Sequence, residues 1–340
     1  MPVKGRKKLF QSNNTTNAYL KPPGQKKRNK KFKSERIPID EYSDPISEYE
    51  YSNDDEFLTQ IDRQHIGRPE FVPQYAEQII INLQKQAIDF RIPVQRFCQI
   101  QTEINLHMRS VVIKWLINVH NEFELSSETL FSSIYYFDYI LSQILIKKRK
   151  IQLLGSVCLW VAAKIHEMSP PSVNELIELC NTQYDLADFE KYERFVLNVL
   201  NFRLQIPHTK LFLQRYIDAL ELRPTLCEIA NFICEASLFC YELNQYNPSK
   251  VAVAIIVITI TLMKSYLPFQ KLKVYSHLDD YKDVEECISY LIFSAKEVLD
   301  SKTGAIYQRY TDTNSTGFLL RANFNDDLIN KIIRLHLSQK

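Results

Sequence analysis

The sequence predicts an all-α protein, and three observations carry that prediction. Only six of the 340 residues are Gly, and Gly155 is the only one between residues 68 and 303. Sheets need tight turns, and tight turns commonly need a residue that tolerates a positive φ. Apolar residues recur at spacings of three and four along most of the chain, which is the pattern of amphipathic helices. The apolar fraction of 45% is that of a globular protein.

Charge divides the chain into three regions. Residues 1–36 carry twelve Lys or Arg and one acid, whereas residues 40–62 carry nine acids and no Lys or Arg. This polar composition predicts a disordered arm over residues 1–66. The remaining chain carries equal numbers of the two signs. A neutral body argues against nucleic acid as a partner, because phosphate binding needs a basic face.

Cysteine usage and hydropathy exclude further classes of protein. The seven Cys are scattered without a C-x-x-C pair, which favours reduced thiols and argues against a metal site. No apolar core segment within residues 2–30 indicates a signal peptide. The longest apolar run, Val251 to Met263, is too short to span a bilayer, which needs about 20 residues. It predicts a buried helix, and we expect no membrane partner.

The helices follow in order from Pro69. Residues 69–92 predict one N-terminal helix, since Tyr75, Ile79, Ile80 and Leu83 have helical spacing. Residues 93–207 predict a set of five helices, and residues 208–311 a second set of five, with a polar, mildly helical tail over 312–340. In the first set, Ser126 or Ser127 is expected to cap the second helix. Helices of the second set are expected at 209–220, 225–243, 249–265 and 283–299.

Charged residues in line with apolar stripes mark points of interest, because burying an unpaired charge is costly. Asp138 lies on the buried side of its helix, and a pair with Arg109 would satisfy both groups. This pair is interpreted as structural. Lys164 and Glu193 leave two interpretations open. They are solvated residues at helix edges, or they form the polar rim of a groove that holds a partner helix.

No catalytic pattern is present. The seven His are dispersed, and the chain lacks H-E-x-x-H, G-x-S-x-G, the P-loop and G-x-G-x-x-G. The sequence therefore predicts a protein that is not an enzyme and that needs no cofactor and no metal.

Residues 101–116 resemble the opening of a cyclin box, and the similarity extends over about residues 69–311. The match is strongest to A- and B-type mitotic cyclins, above all to the B type. Segments 136–141, 150–167, 192–202 and 248–254 resemble further helices of the family. Five residues mark the box in these proteins, and their matches here are Arg109, Asp138, Leu153, Lys164 and Glu193. The resemblance implies two tandem five-helix cyclin-box domains, preceded by an N-terminal helix and a disordered arm.

The resemblance also implies a function. Cyclins are regulatory subunits that bind and activate a cyclin-dependent protein kinase, and the mitotic members control entry into and progress through mitosis at G2/M. Carried over residue by residue, the kinase-binding set is Lys164, Glu193, Val161, Ile165, Leu197, Phe202 and Leu204. The aromatic residue usual in the N-terminal helix is replaced by Asn82, which weakens the expectation of kinase contact there.

The family has a patch that docks substrates or inhibitors carrying R-x-L motifs. The acidic residue that usually pairs with the peptide's Arg is Asn118 here, so altered peptide selectivity is expected. The corresponding positions are Met108, Val111, Val112, Trp115, Asn118, Ile151 and Gln152.

The basic arm carries two short motifs. Arg6, Leu9 and Asn14 fit the R-x-x-L-x-x-x-x-N destruction box of mitotic cyclins, which a ubiquitin ligase reads before proteolysis. Residues 26–33 are rich in Lys and Arg and fit a nuclear localisation signal, although a merely solvated basic tail has the same composition. We expect the protein in nucleus and cytoplasm.

Two alternatives remain. One is a transcriptional cyclin or a basal transcription factor with cyclin-like repeats, against which the missing zinc-ribbon spacing and the motif at Arg6 to Asn14 argue. The other is a helical enzyme, against which the missing catalytic pattern argues.

Overall fold

The computed structural model describes residues 62–63, 73–180, 183–266, 269–277, 282–302, 304–311 and 324–332. Within these ranges every regular element is a helix, which confirms the predicted all-α class. The motifs at Arg6, Leu9 and Asn14 and at residues 26–33, and most of the predicted arm, lie outside the described residues.

The first helical set contains a short helix that the sequence analysis missed. This helix, α2, begins after Pro93, whose ring fits the start of a helix. The remaining helices match the predicted order. The elements are α1 (Ala76–Asp89), α2 (Val94–Ile100), α3 (Leu106–Glu122), α4 (Ser127–Gln143), α5 (Ile151–His166), α6 (Val173–Leu179) and α7 (Leu186–Val199).

The second set contains more helices than the four spans that the sequence predicted. Two short helices, Phe269–Ser276 and Ala305–Thr311, were not predicted, and the polar tail contributes the helix Asp326–Ile332. The elements are α8 (Thr209–Ala219), α9 (Pro224–Ala236), α10 (Pro248–Leu262), α11 (Phe269–Ser276), α12 (Lys282–Ser301), α13 (Ala305–Thr311) and α14 (Asp326–Ile332). Helix α10 is the apolar run of the sequence, and it is buried against α8, α9 and α12.

Helix starts follow local side-chain chemistry. Of the two serines considered, Ser126 caps α4, since its hydroxyl accepts from the backbone of Thr129. Ser172 and Glu175 form a capping box at α6. These bonds fix where the two helices start.

The face of α1 that is buried differs from the face that its apolar pattern indicated. Tyr75 and Ile79 are exposed, while Ile80 and Ala87 are buried. Gln84, on the buried side, donates to the hydroxyl of Ser249 at 2.9 Å. The helix therefore rests on the second helical set through a polar contact, and its exposed edge is apolar.

The base of the arm is fastened to the second helical set. Asp62 forms a two-pronged ion pair with Arg215 of α8, with N–O distances of 2.8 and 2.7 Å, and both side chains are largely buried. The expectation of a disordered arm through residue 66 is therefore wrong at Asp62 and Arg63, which the structure describes as helical.

Arg109 and Asp138 form the pair expected from their positions. Both are 1% exposed, and the guanidinium donates to the two carboxylate oxygens at 2.7 and 2.6 Å. The same guanidinium donates to the carbonyl oxygens of Leu238 and Phe239 at 3.0 and 2.9 Å. Asn244 donates to Asp138 at 2.9 Å. An ion pair of the first helical set thus binds a backbone segment of the second helical set.

This contact explains why the helix expected over 225–243 is interrupted. Helix α9 ends at Ala236, and two short 3₁₀ turns, Ser237–Phe239 and Tyr241–Gln245, follow it. The carbonyl groups of Leu238 and Phe239 accept from Arg109, so they are directed across the domain boundary. A continuous α-helix would have used those carbonyls for its own bonds.

Two more features position α5 and the C-terminal part. A Cβ built on Gly155 of α5 would lie 2.9 Å from Val112, so only glycine allows α3 and α5 to approach this closely. Helix α13 packs on both α3 and α9. Its Arg309 donates to Glu235 at 2.7 and 2.8 Å. None of the described helices combines the length and the hydropathy needed to cross a membrane.

We expect Arg109→Ala to lower the free energy of unfolding by about 3–5 kcal/mol, because it leaves Asp138 buried with its charge unpaired. Urea unfolding followed by circular dichroism measures this loss. The control is Arg96→Ala, which removes an exposed guanidinium bonded to Gln143 and should cost little. Equal stability of both variants would contradict the structural role of the pair.

Candidate functional site

Lys164 and Glu193 form an ion pair on the surface between α5 and α7. Both side chains are partly exposed. The Lys164 ammonium also lies 3.4 Å from the centre of the Trp160 ring, a cation–π contact. Because Lys164 sits in the last turn of α5, the helix dipole further favours its charge. Sequence reasoning did not place the two residues in direct contact, since 29 residues separate them.

Phe202 follows α7, and an unusual backbone conformation leaves its side chain exposed. Helix α7 ends in a Schellman motif, in which the amide of Phe202 donates to the carbonyl of Leu197 at 3.0 Å. Asn201 and Phe202 have φ values of 48° and 56°. A left-handed conformation is rare for an aromatic residue and often marks a functional position. The Phe202 side chain is 66% exposed.

The remaining apolar residues assigned to kinase contact differ in the exposed fraction of their side chains. Ile165 is 44% exposed, and Leu197 and Leu204 are half-buried. Val161 is only 2% exposed. Its assignment to the contact surface is therefore wrong, because α5 packs against α3, α4 and α7 and this position lies in the core.

Sequence reasoning missed two residues at this surface. Met168, just after α5, is fully exposed. The guanidinium of Arg203 lies 4.6 Å from the ring centre of Phe90, at the end of α1, so α1 ends beside the residue that follows Phe202 in the chain. Spacing within one helix could not reveal either feature. We call the exposed residues Lys164, Ile165, Met168 and Phe202, together with the partly exposed Glu193, the α5–α7 surface.

The end of α5 is held by Glu167. Its carboxylate accepts from the backbone and hydroxyl of Ser126, each at 2.8 Å, and from the hydroxyl of Thr129. Burial acts to raise the pKa of Glu167, but the bonds from Thr129 and Ser126 outweigh it and lower the pKa. The start of α4 and the end of α5 are thereby fastened together, and Lys164 gains a fixed backbone.

A second surface lies on α3 and the start of α5. Val111 is 55% exposed, Met108, Trp115 and Gln152 are half-buried, and Asn118 is exposed. Val112 is 7% exposed and packs on Gly155, and Ile151 is 9% exposed. Val112 therefore belongs to the core, which corrects its assignment to the docking patch. We call the exposed and half-buried residues Met108, Val111, Trp115, Asn118 and Gln152, with Ile151 at their edge, the α3 patch.

Both surfaces offer hydrogen bonds and apolar contact. The α5–α7 surface combines one cation, one anion and exposed apolar side chains, which suits a helix of another protein. Among the described residues, no group of His, Cys, Asp and Glu is placed to hold a metal ion.

Two protein-family models match the chain. The model "Cyclin, N-terminal domain" matches residues 78–205, and "Cyclin, C-terminal domain" matches residues 207–319. Together they cover the two helical sets except for α14 and the first residues of α1, and they include both surfaces described above.

Curated relatives include cyclins named as A-type and as B-type, and two of the three described here are named G2/mitotic-specific. The chain is 30% identical over 242 residues to a G2/mitotic-specific cyclin-A of Hydra viridissima, covering 70% of this chain and 57% of the relative. It is 32% identical over 251 residues to Cyclin-A1-2 of Arabidopsis thaliana, covering 72% and 56%. It is 27% identical over 226 residues to a G2/mitotic-specific cyclin-B3 of Gallus gallus, covering 66% and 55%. The matched part thus spans little more than half of these relatives.

Solved structures share the fold. A viral cyclin from herpesvirus saimiri superimposes with a TM-score of 0.56 at 19% identity, covering 64% of this chain and 97% of the viral one. A chain of the yeast RNA Pol II CTD kinase CTDK-1 complex gives 0.52 at 13% identity, covering 75% and 90%. The tandem arrangement of helical sets is therefore a known one.

We expect Glu167→Gln to lower the free energy of unfolding by about 1–2 kcal/mol at neutral pH, since it removes charge-assisted hydrogen bonds. The folded carboxyl has the lower pKa, so its contribution is complete above the unfolded pKa and is lost as the pH falls through the folded pKa. The difference between parent and variant should therefore shrink as the pH falls below the ordinary glutamate pKa of about 4.3. Urea unfolding at a series of pH values measures it, with the exposed Glu190→Gln as control. A difference that stays constant with pH would contradict this role of the carboxylate.

Proposed function

Because this chain belongs to the cyclin family, we propose that it is a regulatory subunit that binds and activates a cyclin-dependent protein kinase. The observation that carries the proposal is the Lys164–Glu193 pair, set among the exposed apolar side chains of the α5–α7 surface. Cyclins have no catalytic centre of their own, so the chemistry belongs to the kinase.

The α5–α7 surface would act by selecting one conformation of the kinase. In this family, the matched Lys and Glu bond to the kinase C-helix and the segment leading into it. Docking turns that helix inward, completes the Lys–Glu ion pair of the kinase and moves its activation loop. The cyclin shifts a population between two kinase states through its higher affinity for the active one.

The geometry of the unbound surface suits this task. Lys164 and Glu193 already face each other, so the partner's polar groups can bind beside a pre-aligned pair of charges. Phe202 is held by the Schellman motif at the end of α7, so little conformational freedom is lost when it is covered. Ile165 and Met168 provide the apolar area beside the charges.

We assign the proposed activity to mitosis, at entry into and progress through G2/M. The names of the relatives support this assignment, and they include both A-type and B-type cyclins at similar identity. We further propose removal by ubiquitin-dependent proteolysis through Arg6, Leu9 and Asn14. The basic residues 26–33 support a distribution between nucleus and cytoplasm.

The α3 patch is proposed as a docking surface for kinase substrates or inhibitors. The transcriptional alternative rests on the similarity to a chain of the CTD kinase complex, which at 13% identity shows the fold alone. Mitotic relatives at about 30% identity favour the first proposal.

We expect the double variant Lys164→Ala and Glu193→Ala to weaken kinase binding about tenfold to a hundredfold, because each charged group loses bonds to the kinase. Titration of a purified mitotic-type kinase, read by phosphate transfer to a histone-type substrate, measures the change. The matched control removes the exposed pair Lys271–Glu221, whose N–O distance is 3.5 Å. Activation by both variants at parental concentrations would contradict the assignment of the surface.

We expect Arg6→Ala with Leu9→Ala to leave kinase activation unchanged and to prolong the life of the protein after anaphase begins. The reason is that the ligase loses its recognition motif while the folded helices are untouched. Immunoblotting of synchronised cells measures the half-life. The control Lys7→Ala with Phe10→Ala keeps Arg6, Leu9 and Asn14 and, like the motif variant, removes one positive charge and one large apolar side chain. Equal decay of the motif variant and the parent would contradict the degradation proposal.

A further inference from the structure

The segment that joins α5 to α6 contains an exposed serine followed by an exposed proline. Ser169–Pro170 is the only Ser-Pro or Thr-Pro pair in the chain. Both residues lie outside the helices, since α5 ends at His166 and α6 begins at Val173. The helix caps and the contacts described above do not use this serine, so its hydroxyl is available for another role.

The Ser169 hydroxyl differs from the two serine hydroxyls that flank α4 and α6. Ser126 donates to Glu167 at 2.8 Å, and Ser172 donates to Glu175 at 2.7 Å. Within the part of the chain that the structure describes, the Ser169 side chain has no hydrogen-bond partner. An enzyme that modifies Ser169 Oγ therefore breaks no bond to reach it.

The backbone around Ser169 suits a protein kinase substrate. The ring of Pro170 disfavours a helical conformation for Ser169 and favours an extended one, in which kinases bind their substrates. Pro170 also has no amide hydrogen, so an enzyme pocket without an acceptor at that point selects for it. Helix α6 has only seven residues, and a helix this short has little stability of its own. The segment can therefore open locally at low cost.

Ser169 borders the α5–α7 surface. The residue before it, Met168, is fully exposed and belongs to that surface. Consecutive Cα atoms lie about 3.8 Å apart, so a partner that covers Met168 also approaches Ser169. Binding of a partner at this surface and modification of Ser169 should therefore exclude each other.

The charges near Ser169 would not neutralise a phosphate. Residues 168–179 contain two Glu and neither Lys nor Arg. The nearest preceding cation, Lys164, is already paired with Glu193. A phosphoserine carries a charge of about −1.5 to −2 at pH 7. Covering such a group beside an apolar contact removes its hydration without supplying a partner, which weakens binding.

We propose that Ser169 is a phosphorylation site for a proline-directed protein kinase, and that the phosphate opposes binding of the cyclin-dependent kinase to the α5–α7 surface. Ser169 Oγ forms a bond to the γ-phosphorus of ATP, the bond from that phosphorus to the β,γ-bridging oxygen breaks, and ADP leaves. The hydroxyl proton passes to the carboxylate base of the modifying kinase and then to water. The inference rests on the proposed function, since it names a regulation of the same surface.

Phosphate transfer to the full chain tests the site itself. The chain is incubated with ATP, Mg²⁺ and a constitutively active proline-directed kinase that needs no cyclin, and peptide mass spectrometry locates the phosphate. We expect phosphate on Ser169 of the parent and none at this position in Ser169→Ala. The matched control Pro170→Ala keeps the hydroxyl and removes the recognition feature, so it should also remain unmodified. Prior binding of a catalytically inactive mitotic-type kinase should protect Ser169.

Titration of an active mitotic-type kinase tests the consequence. The phosphorylated chain should need a concentration about tenfold higher or more to give the same binding and activation as the unmodified chain. Treatment with a phosphatase should restore the parental curve. Ser169→Ala, taken through the same incubation with the proline-directed kinase, should keep the parental curve throughout.

The absence of phosphate on Ser169, equal modification of the free and the kinase-bound chain, or unchanged affinity after modification would each overturn the inference. Tighter binding of the phosphorylated chain would also overturn it, because it would show that cations of the kinase receive the phosphate. Failure of the unmodified chain to bind and activate the kinase would refute the proposed function instead. Transfer of phosphate to Ser169 is measured without that kinase, so the two failures are distinguishable.

Discussion

The buried pair of Arg109 and Asp138 is the constraint on which the architecture depends. An arginine in the core requires a carboxylate and further acceptors, and the first helical set supplies only the carboxylate. The acceptors come from the backbone of Leu238 and Phe239 in the second set. One guanidinium therefore bonds across the junction of the two helical sets, directly after the end of α9. The two sets meet through satisfied polar groups in addition to apolar packing.

Helix α5 connects the two candidate surfaces. Its last turn holds Lys164 for the proposed kinase contact, and its first residue, Ile151, lies at the edge of the α3 patch. The two ends lie about 24 Å apart along a 16-residue helix. Gly155 permits close packing on α3 between them. A rigid helix of this kind would keep a docked peptide at a constant distance from the catalytic subunit.

Local patterns predicted much of the fold, because helix periodicity and capping depend on neighbours in sequence. The cap at Ser126 and the burial of Asp138 are examples. Features that depend on distant residues were missed or wrong. Val161 was assigned to a surface by carry-over from the family, and the burial of this position depends on the helices packed around α5. The interrupted helix after Ala236 depends on Arg109, more than a hundred residues earlier. The direct contact of Lys164 with Glu193 likewise needed the packing of two helices.

The ion pair between Asp62 and Arg215 has a mechanical consequence. It joins the base of the arm to α8, the first helix of the second set, across 153 residues of sequence. Tension applied to the arm therefore reaches α8 through Asp62 before it reaches α1. An unfolding machine that pulls on the N-terminus would apply force to the second helical set first. The first set would come under force only after the Asp62–Arg215 ion pair breaks.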